Sequence, residues 1–322
     1  MRQLLKKTRA YKLFKAEAEQ NRFSHAYLLL LDDERNLRDA LKCFAKVLFR
    51  CDEPQNERER VLSSRVDAET FSDCLFFPEA DKKFVVEDAE RVTEESVVRP
   101  VEGNKKVFVI GDFAQANAAS QNKLLKLLEE PPKDVIFLLG ATTVYPVLQT
   151  VLSRVATLEI PPFETSDVAD ALRRIYVDKG YKQDDIELCA AACGGSLGAA
   201  QTALEGGEYE TLVNDAFSLC LGEQAKLPQN IRKVGETKNK KELLFLLRVI
   251  FRDALLLKTL NGKNVLLRGE QSRLQTVAEK FSSACLLFAQ QEITNAEKEI
   301  FFNAYFAQCL EVLFAKIFKF NS

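Results

Sequence analysis

The sequence predicts an α/β domain followed by an all-α region. Three observations carry this. Up to residue 160, short continuous apolar runs alternate with amphipathic stretches, as expected for strands buried on both faces and joined by helices. Pro161-Pro162 then forms a stiff break. Beyond it the strand-like runs stop and helical patterns continue to the end of the chain.

The first strand is the run Ala26-Tyr-Leu-Leu-Leu-Leu31. A helix follows, with Leu37, Ala40, Leu41, Phe44, Ala45, Val47 and Leu48 on one side. Val107-Phe-Val-Ile110 and Val135-Ile-Phe-Leu-Leu139 are two further buried strands. Between them lies a helix carrying Leu124, Leu125 and Leu128, ended by Pro131-Pro132 because proline cannot continue the hydrogen-bond ladder. Ala156-Thr-Leu-Glu-Ile160 reads as a final strand. Strands joined by helices imply a parallel sheet covered on both faces.

Gly206-Gly207 is a second candidate boundary, so the chain divides into 1–162, 163–206 and 207–322. The middle part reads as short helices: Ser166 and Asp167 can cap one, Gln183–Asp185 can open another, and Ser196 precedes a third. From Glu208 the pattern is helical throughout, with the basic stretch 232–241 read as a loop. One last long helix carries Ile300, Phe301, Ala304, Tyr305, Val312, Leu313, Lys316 and Ile317.

A chain of 322 residues suits two or three domains, and 47% hydrophobic with 29% charged residues fits a globular protein with a substantial core. The net charge of −2 gives no global basic footprint, so any DNA contact is expected to be local or made through partners. The polar, basic N-terminus lacks a secretory apolar segment, and no apolar run approaches the ~20 residues that span a bilayer. The eight scattered cysteines are then reduced thiols in a cytoplasm, with Cys220 and Cys309 as small core residues.

The most informative stretch is Asn117-Ala-Ala-Ser-Gln-Asn-Lys-Leu-Leu-Lys-Leu-Leu-Glu-Glu-Pro-Pro132, followed by an apolar strand and then by Ser153-Arg154. This order resembles the AAA+ ATPase-type subunits of bacterial sliding-clamp loaders, from 105 to 162 above all. In such subunits the first strand leads into a Gly-x-x-x-x-Gly-Lys-Ser/Thr phosphate loop. Here His25-Ala-Tyr-Leu28 is similar to the strand start, but Leu31-Asp-Asp-Glu-Arg-Asn-Leu-Arg38 has no glycine to bring backbone amides around phosphate. By that resemblance Leu37 stands in place of the phosphate lysine and Arg38 in place of the magnesium hydroxyl. Asp32, Asp33 and Glu34 would repel a triphosphate.

The family's paired acids at the end of the third buried strand are reduced to Gly111-Asp112, and Gly195-Ser-Leu-Gly198 lacks the family's sensing arginine. The resemblance therefore implies an ATPase-inactive clamp-loader subunit with no bound cofactor: an AAA+ type sheet flanked by helices, a small helical lid domain and a C-terminal helical collar domain. Arg154, with Ser153 as its motif partner, would act in trans on a neighbour's ATP, since guanidinium is permanently charged and offers planar donors to phosphate. An ordinary surface arginine is the bland reading of the same residue. Implied partners are the clamp-loader ATPase (gamma/tau) and delta subunits, with the sliding clamp and primed DNA reached through the complex and no membrane. In the third domain, Arg248, Arg252-Asp253, Asn303 and Tyr305 resemble collar-helix positions.

Two alternatives stand beside this one. One is a divergent active clamp-loader ATPase subunit; the other is a non-enzymatic adaptor on a dead AAA+ fold outside replication. Cys51 and Cys74 lack paired Cys-x-x-Cys spacing, and Cys189 and Cys193 have no companion ligands, so no metal site is expected. His25, the only histidine, reads as structural, and Lys123 and Lys126 as a solvated face.

Overall fold

The computed structural model describes the chain except for residues 81, 182, 206–208, 224–225, 238, 261–264, 266, 302–303 and 322. It divides into two compact units. The first is Met1–Phe163 together with Ser196–Gly198; the second is Glu164–Gly195 and Ala199–Ser322.

In chain order the first unit contains α1 (Arg2–Lys7), α2 (Arg9–Glu19), β1 (Ala26–Leu30), α3 (Glu34–Leu48), α4 (Glu57–Asp67), β2 (Cys74–Phe77) and α5 (Val86–Ser96). Then come β3 (Lys106–Asp112), α6 (Ala118–Glu129), β4 (Val135–Ala141), the short α7 (Gln149–Leu152) and β5 (Ala156–Glu159). The sheet order is β2-β3-β4-β1-β5, and every neighbouring pair is parallel. Alternate side chains feed two cores. Tyr27, Leu29, Val107, Val109, Ile136 and Leu138 pack with α2 and α3 on one face. Leu28, Phe108, Ile110, Phe137 and Leu139 pack with α5 and α6 on the other. Each fully buried Leu, Ile, Val or Phe contributes about 1.5–3 kcal/mol through the apolar surface it removes from water.

The helices start where side chains satisfy their first N–H groups. Asn117 Oδ1 accepts from Ser120 N at 2.8 Å and Ser120 Oγ at 2.9 Å, opening α6, and Leu124, Leu127 and Leu128 then face the sheet. Asn56 caps α4 in the same way.

The second unit is helical: α8 (Thr165–Ile175), α9 (Gln183–Ala192), α10 (Leu197–Glu205), α11 (Tyr209–Leu221), α12 (Leu227–Val234), α13 (Lys240–Leu260), α14 (Gln271–Lys280), α15 (Ser283–Phe301) and α16 (Phe306–Asn321). The first three residues of α10's vicinity, Ser196–Gly198, cluster with the first unit. Helix α13 packs on α14 and α15, and α15 on α16.

Several expectations need correction. The stretch 232–241 is not one loop: Arg232 and Lys233 form the last turn of α12, where cations suit the helix dipole, and Leu227, Ile231 and Val234 bury one stripe of that helix. The last long helix is two. Ala304 N bonds back to Glu299 O, a wider closure that ends α15, and Tyr305 is exposed before Phe306 turns inward to open α16. Helix α8 begins at Thr165 with Glu164 at its N-cap, so Ser166 and Asp167 lie in its first turn and do not cap it. Strand β2 and helices α1, α2, α4 and α5 were not anticipated. Gly206-Gly207 and Asn303 lie outside the described residues.

Candidate functional site

A doubly wound sheet opens a crevice at the carboxyl ends of its strands, where the strand order reverses. Here that crevice is bordered by residues 31–33 after β1, Asp112 at the end of β3 and Thr142 after β4. The first turn of α3, which would offer its N–H groups to an anion, already holds one. Asp33 is buried, 4% exposed, and its carboxylate accepts from Asn36 N at 3.1 Å and from Asn36 Nδ2 at 2.9 Å. It also accepts from Gly198 N at 2.8 Å. A Cβ at Gly198 would stand 2.1 Å from Asp33 Oδ1, so glycine is required for this approach. Burial pushes the Asp33 carboxyl above its ordinary pKa, against the opposing pull of the Gly198 and Asn36 donors.

The other crevice positions are equally committed. Leu37 is buried under β4, where a Cβ at Gly140 would meet its side chain at 3.2 Å. Arg38 is clamped beside Gly111, where its Nη1 would lie 3.8 Å from an added Cβ: Nε donates to Glu69 Oε1 at 2.6 Å, Nη1 to Pro78 O at 3.0 Å, and Nη2 to Glu69 Oε2. Burial alone would raise the Glu69 carboxyl, but Arg38 and Lys42 outweigh it and hold it below the ordinary range. Gly111 has only ordinary contacts around its would-be Cβ. Asp112 accepts from Gln115 Nε2 at 3.0 Å, and Thr142 approaches it at 3.4 Å.

A second locus surrounds Arg154. Gln121, buried within α6, ties that helix to the loop that leads into α7. Its Nε2 donates to Ala116 O and Pro146 O, each at 3.0 Å, and its Oε1 accepts from Leu148 N at 2.9 Å. Arg154 follows α7 directly. Its Nη1 donates to Thr150 O at 2.6 Å and to Ser153 Oγ at 3.0 Å, and its Nη2 meets Glu129 Oε1 at 2.6 Å. The guanidinium lines an open depression of about 670 Å³ with Ser24, His25, Leu128, Glu129 and Ser153. His25 Nε2 donates to Leu128 O at 2.9 Å, tying the start of β1 to the end of α6.

Arg154 and Ser153 are therefore adjacent in one place, while Leu37, Arg38, Gly111 and Asp112 border another. Gln121 and Glu129 were missed as members of these loci, and Asp33, read as repelling phosphate, was missed as the cap that fills the first turn of α3. Their signal lay in the sequence only as generic cap, helix and helix-end residues.

Lys123 pairs with Glu90 at 2.9 Å, and Lys126 is exposed. The eight cysteines are all buried free thiols; burial pushes Cys51 up to about 12 and raises Cys74. Among the described residues no group of three His, Cys, Asp or Glu is arranged to hold a metal. Arg248 donates to Glu297 at 2.7 Å, and buried Asp253 accepts from Arg252 Nη1 at 3.0 Å and Leu267 N at 2.9 Å. Among the described residues no helix is long and apolar enough to cross a membrane.

The five-stranded parallel order, with a helix opening after β1 and an acid closing β3, defines an AAA+ type fold followed by helices. Residues 6–164 match the family model described as DNA polymerase III, delta subunit. The chain is 28% identical over 165 residues to DNA polymerase III subunit delta' of Bacillus subtilis, covering 51% of this chain and 50% of that one. It is 27% identical over 218 residues to subunit tau/gamma of Haemophilus influenzae, covering 63% and 30%. Over about its first half the chain is thus similar to the clamp-loader subunits of DNA polymerase III. It spans half or less of the length of these two relatives. Among solved structures, a gamma subunit-related protein of Thermotoga maritima aligns at 14% identity with a TM-score of 0.41, covering 95% of this chain and 97% of that one.

Proposed function

We propose that this chain is a clamp-loader subunit of the delta-prime type, which hydrolyses no ATP itself and lends Arg154 to the ATP site of an adjacent gamma/tau subunit. The observation that carries the reading is a contrast between two loci. The chain's own crevice is filled by Asp33, Leu37 and Arg38. Arg154 instead stands on an open depression, oriented by Thr150, Ser153 and Glu129. A guanidinium is the appropriate group to neutralise charge on a transferring phosphoryl, and supplied in trans it can accelerate transfer by roughly 10³–10⁵.

In this reading 1–162 is the AAA+ type domain with a degenerate nucleotide site, 163–206 a lid and 207–322 an oligomerising collar. The subunit is a rigid scaffold in the cytoplasm, beside the gamma/tau and delta subunits. It takes no cofactor or metal, and supports loading of the sliding clamp on primed DNA through the complex.

The test is ATP hydrolysis by the reconstituted complex, stimulated by clamp and primed DNA, with wild-type chain and with Arg154→Ala, assembly being checked by size. A loss of about tenfold or more in an intact complex is expected, as for a removed trans finger. Unchanged hydrolysis would refute the assignment and favour a non-enzymatic adaptor.

A further inference from the structure

We infer that Glu129 is the positioning residue of Arg154: its carboxylate holds the guanidinium in one place, so that the finger is set before a neighbour's nucleotide arrives. The inference rests on the trans-finger reading above and assigns a role to the first glutamate of the Glu-Glu-Pro-Pro segment, which by sequence only ends a helix.

The geometry points this way. Glu129 is the last residue of α6, and its Oε1 lies 2.6 Å from Arg154 Nη2. The next residue, Glu130, is the C-cap and is exposed. Arginine offers five N–H donors. Three are engaged, two by Thr150 O and Ser153 Oγ on the guanidinium's own segment and one by Glu129. That leaves two for an incoming anion, enough for a bidentate contact with phosphate oxygens.

Thr150 and Ser153 move with Arg154, because all three lie on α7 and its immediate end. Among the described residues Glu129 is the one polar partner from another element, and that element is anchored: Leu124 and Leu128 are buried against the sheet, and Gln121 fixes the loop before α7. The carboxylate therefore refers the guanidinium to the rigid body of the fold. A free arginine side chain samples many rotamers and must lose that freedom when it binds. A side chain already held loses less, and the gain appears in the chemical step.

Both partners are partly exposed, at 32% and 48%, so the pair is weak in water. The preference it imposes corresponds to a factor of about two to five in the population of the held rotamer.

The test compares wild-type, Glu129→Gln, Arg154→Ala and the double variant in the reconstituted complex, with kcat and KM for ATP measured in the presence of clamp and primed DNA. Glutamine keeps the shape and an acceptor oxygen, so α6 is expected to fold, and circular dichroism and complex size check it. We expect Glu129→Gln to lower kcat about two- to fivefold with KM unchanged, and the double variant to match Arg154→Ala alone. If Arg154→Ala slows the complex while Glu129→Gln equals wild type or exceeds it, the positioning role is wrong and the finger reading stands. If the two losses multiply in the double variant, Glu129 acts elsewhere and the inference falls. If Arg154→Ala itself changes nothing, the finger reading fails, and the inference with it.

Discussion

Replacing Asp33 by alanine tests whether the crevice is held by its own carboxylate. The substitution removes the N-cap of α3, for which a loss of ~1 kcal/mol is typical. It also leaves Gly198 N–H and the Asn36 donors facing an apolar methyl in a buried place. An orphaned buried donor costs about 1–3 kcal/mol. Part of this is offset, because burial already penalises the charge, as the raised pKa of Asp33 indicates. The net expectation is a loss of about 1–3 kcal/mol, or a fall in Tm of roughly 2–10 °C for a unit of this size. Calorimetry of the full chain would read the transition. Amide exchange would show whether Asn36 and Gly198 are the groups exposed. Asp33→Asn, which keeps one acceptor oxygen, should lose less. An unchanged Tm together with unchanged protection at Asn36 and Gly198 would refute the reasoning.

Two further expectations concern charges elsewhere. Lys106 is a buried cation, 3% exposed in its side chain, paired at 2.8 Å with a half-exposed Glu95 and bonded to Glu95 O at 2.9 Å. Lys106→Met should leave stability within about 1 kcal/mol of wild type or raise it, whereas Glu95→Leu should lower it by about 2 kcal/mol or more because the ammonium stays buried without its carboxylate; urea unfolding of both variants distinguishes the two. Glu53 is held down to about 2 by hydrogen bonds from Lys15 and Lys6. Its folded pKa is depressed, so its contribution is present above the ordinary value of 4.5 and is lost as pH falls from there towards 2. Glu53→Gln should lower stability slightly at pH 7, flatten the acid limb of the stability curve in that window and leave stability unaltered near pH 2, with a small amplitude because the pair is exposed to solvent.

The buried strands were legible because a parallel sheet writes itself as continuous apolar runs: Ala26-Tyr-Leu-Leu-Leu30, Val107-Phe-Val-Ile110 and Val135-Ile-Phe-Leu-Leu139 have no other economical reading. Strand β2 was not, because Cys74-Leu-Phe-Phe77 is only four residues long and runs straight into Pro78. Helix α4 escaped because Glu-Arg-Glu-Arg-Val-Leu-Ser-Ser-Arg-Val-Asp buries only Val66. Helix α12 was hidden by its basic last turn, which looks like a solvated loop until Leu227, Ile231 and Val234 are seen to share a face.

At the candidate site, the order of motifs singles out Arg154 as a candidate. Glu129 as its neighbour was not legible, since the two are brought together only by the return of the chain through β4 and α7. Nor can Asp32, Asp33 and Glu34 be told apart as letters. Only the turn between β1 and α3 points Asp33 inward and leaves its two neighbours exposed.

Inserting glycines between β1 and α3 would not by itself form a phosphate cradle. Leu37 would still fill the space beneath Gly140, and Arg38 would still be clamped to Glu69 and Pro78 O. Releasing Arg38 alone would leave Glu69 with only Lys42, and removing Asp33 alone would strand Gly198 and Asn36. Each of these single changes is expected to lower stability by leaving a buried or paired group without its partner. The crevice positions are thus tied to separate partners, Asp33 to Gly198 and Asn36, and Arg38 to Glu69 and Pro78 O, so reshaping the crevice would take several substitutions made together.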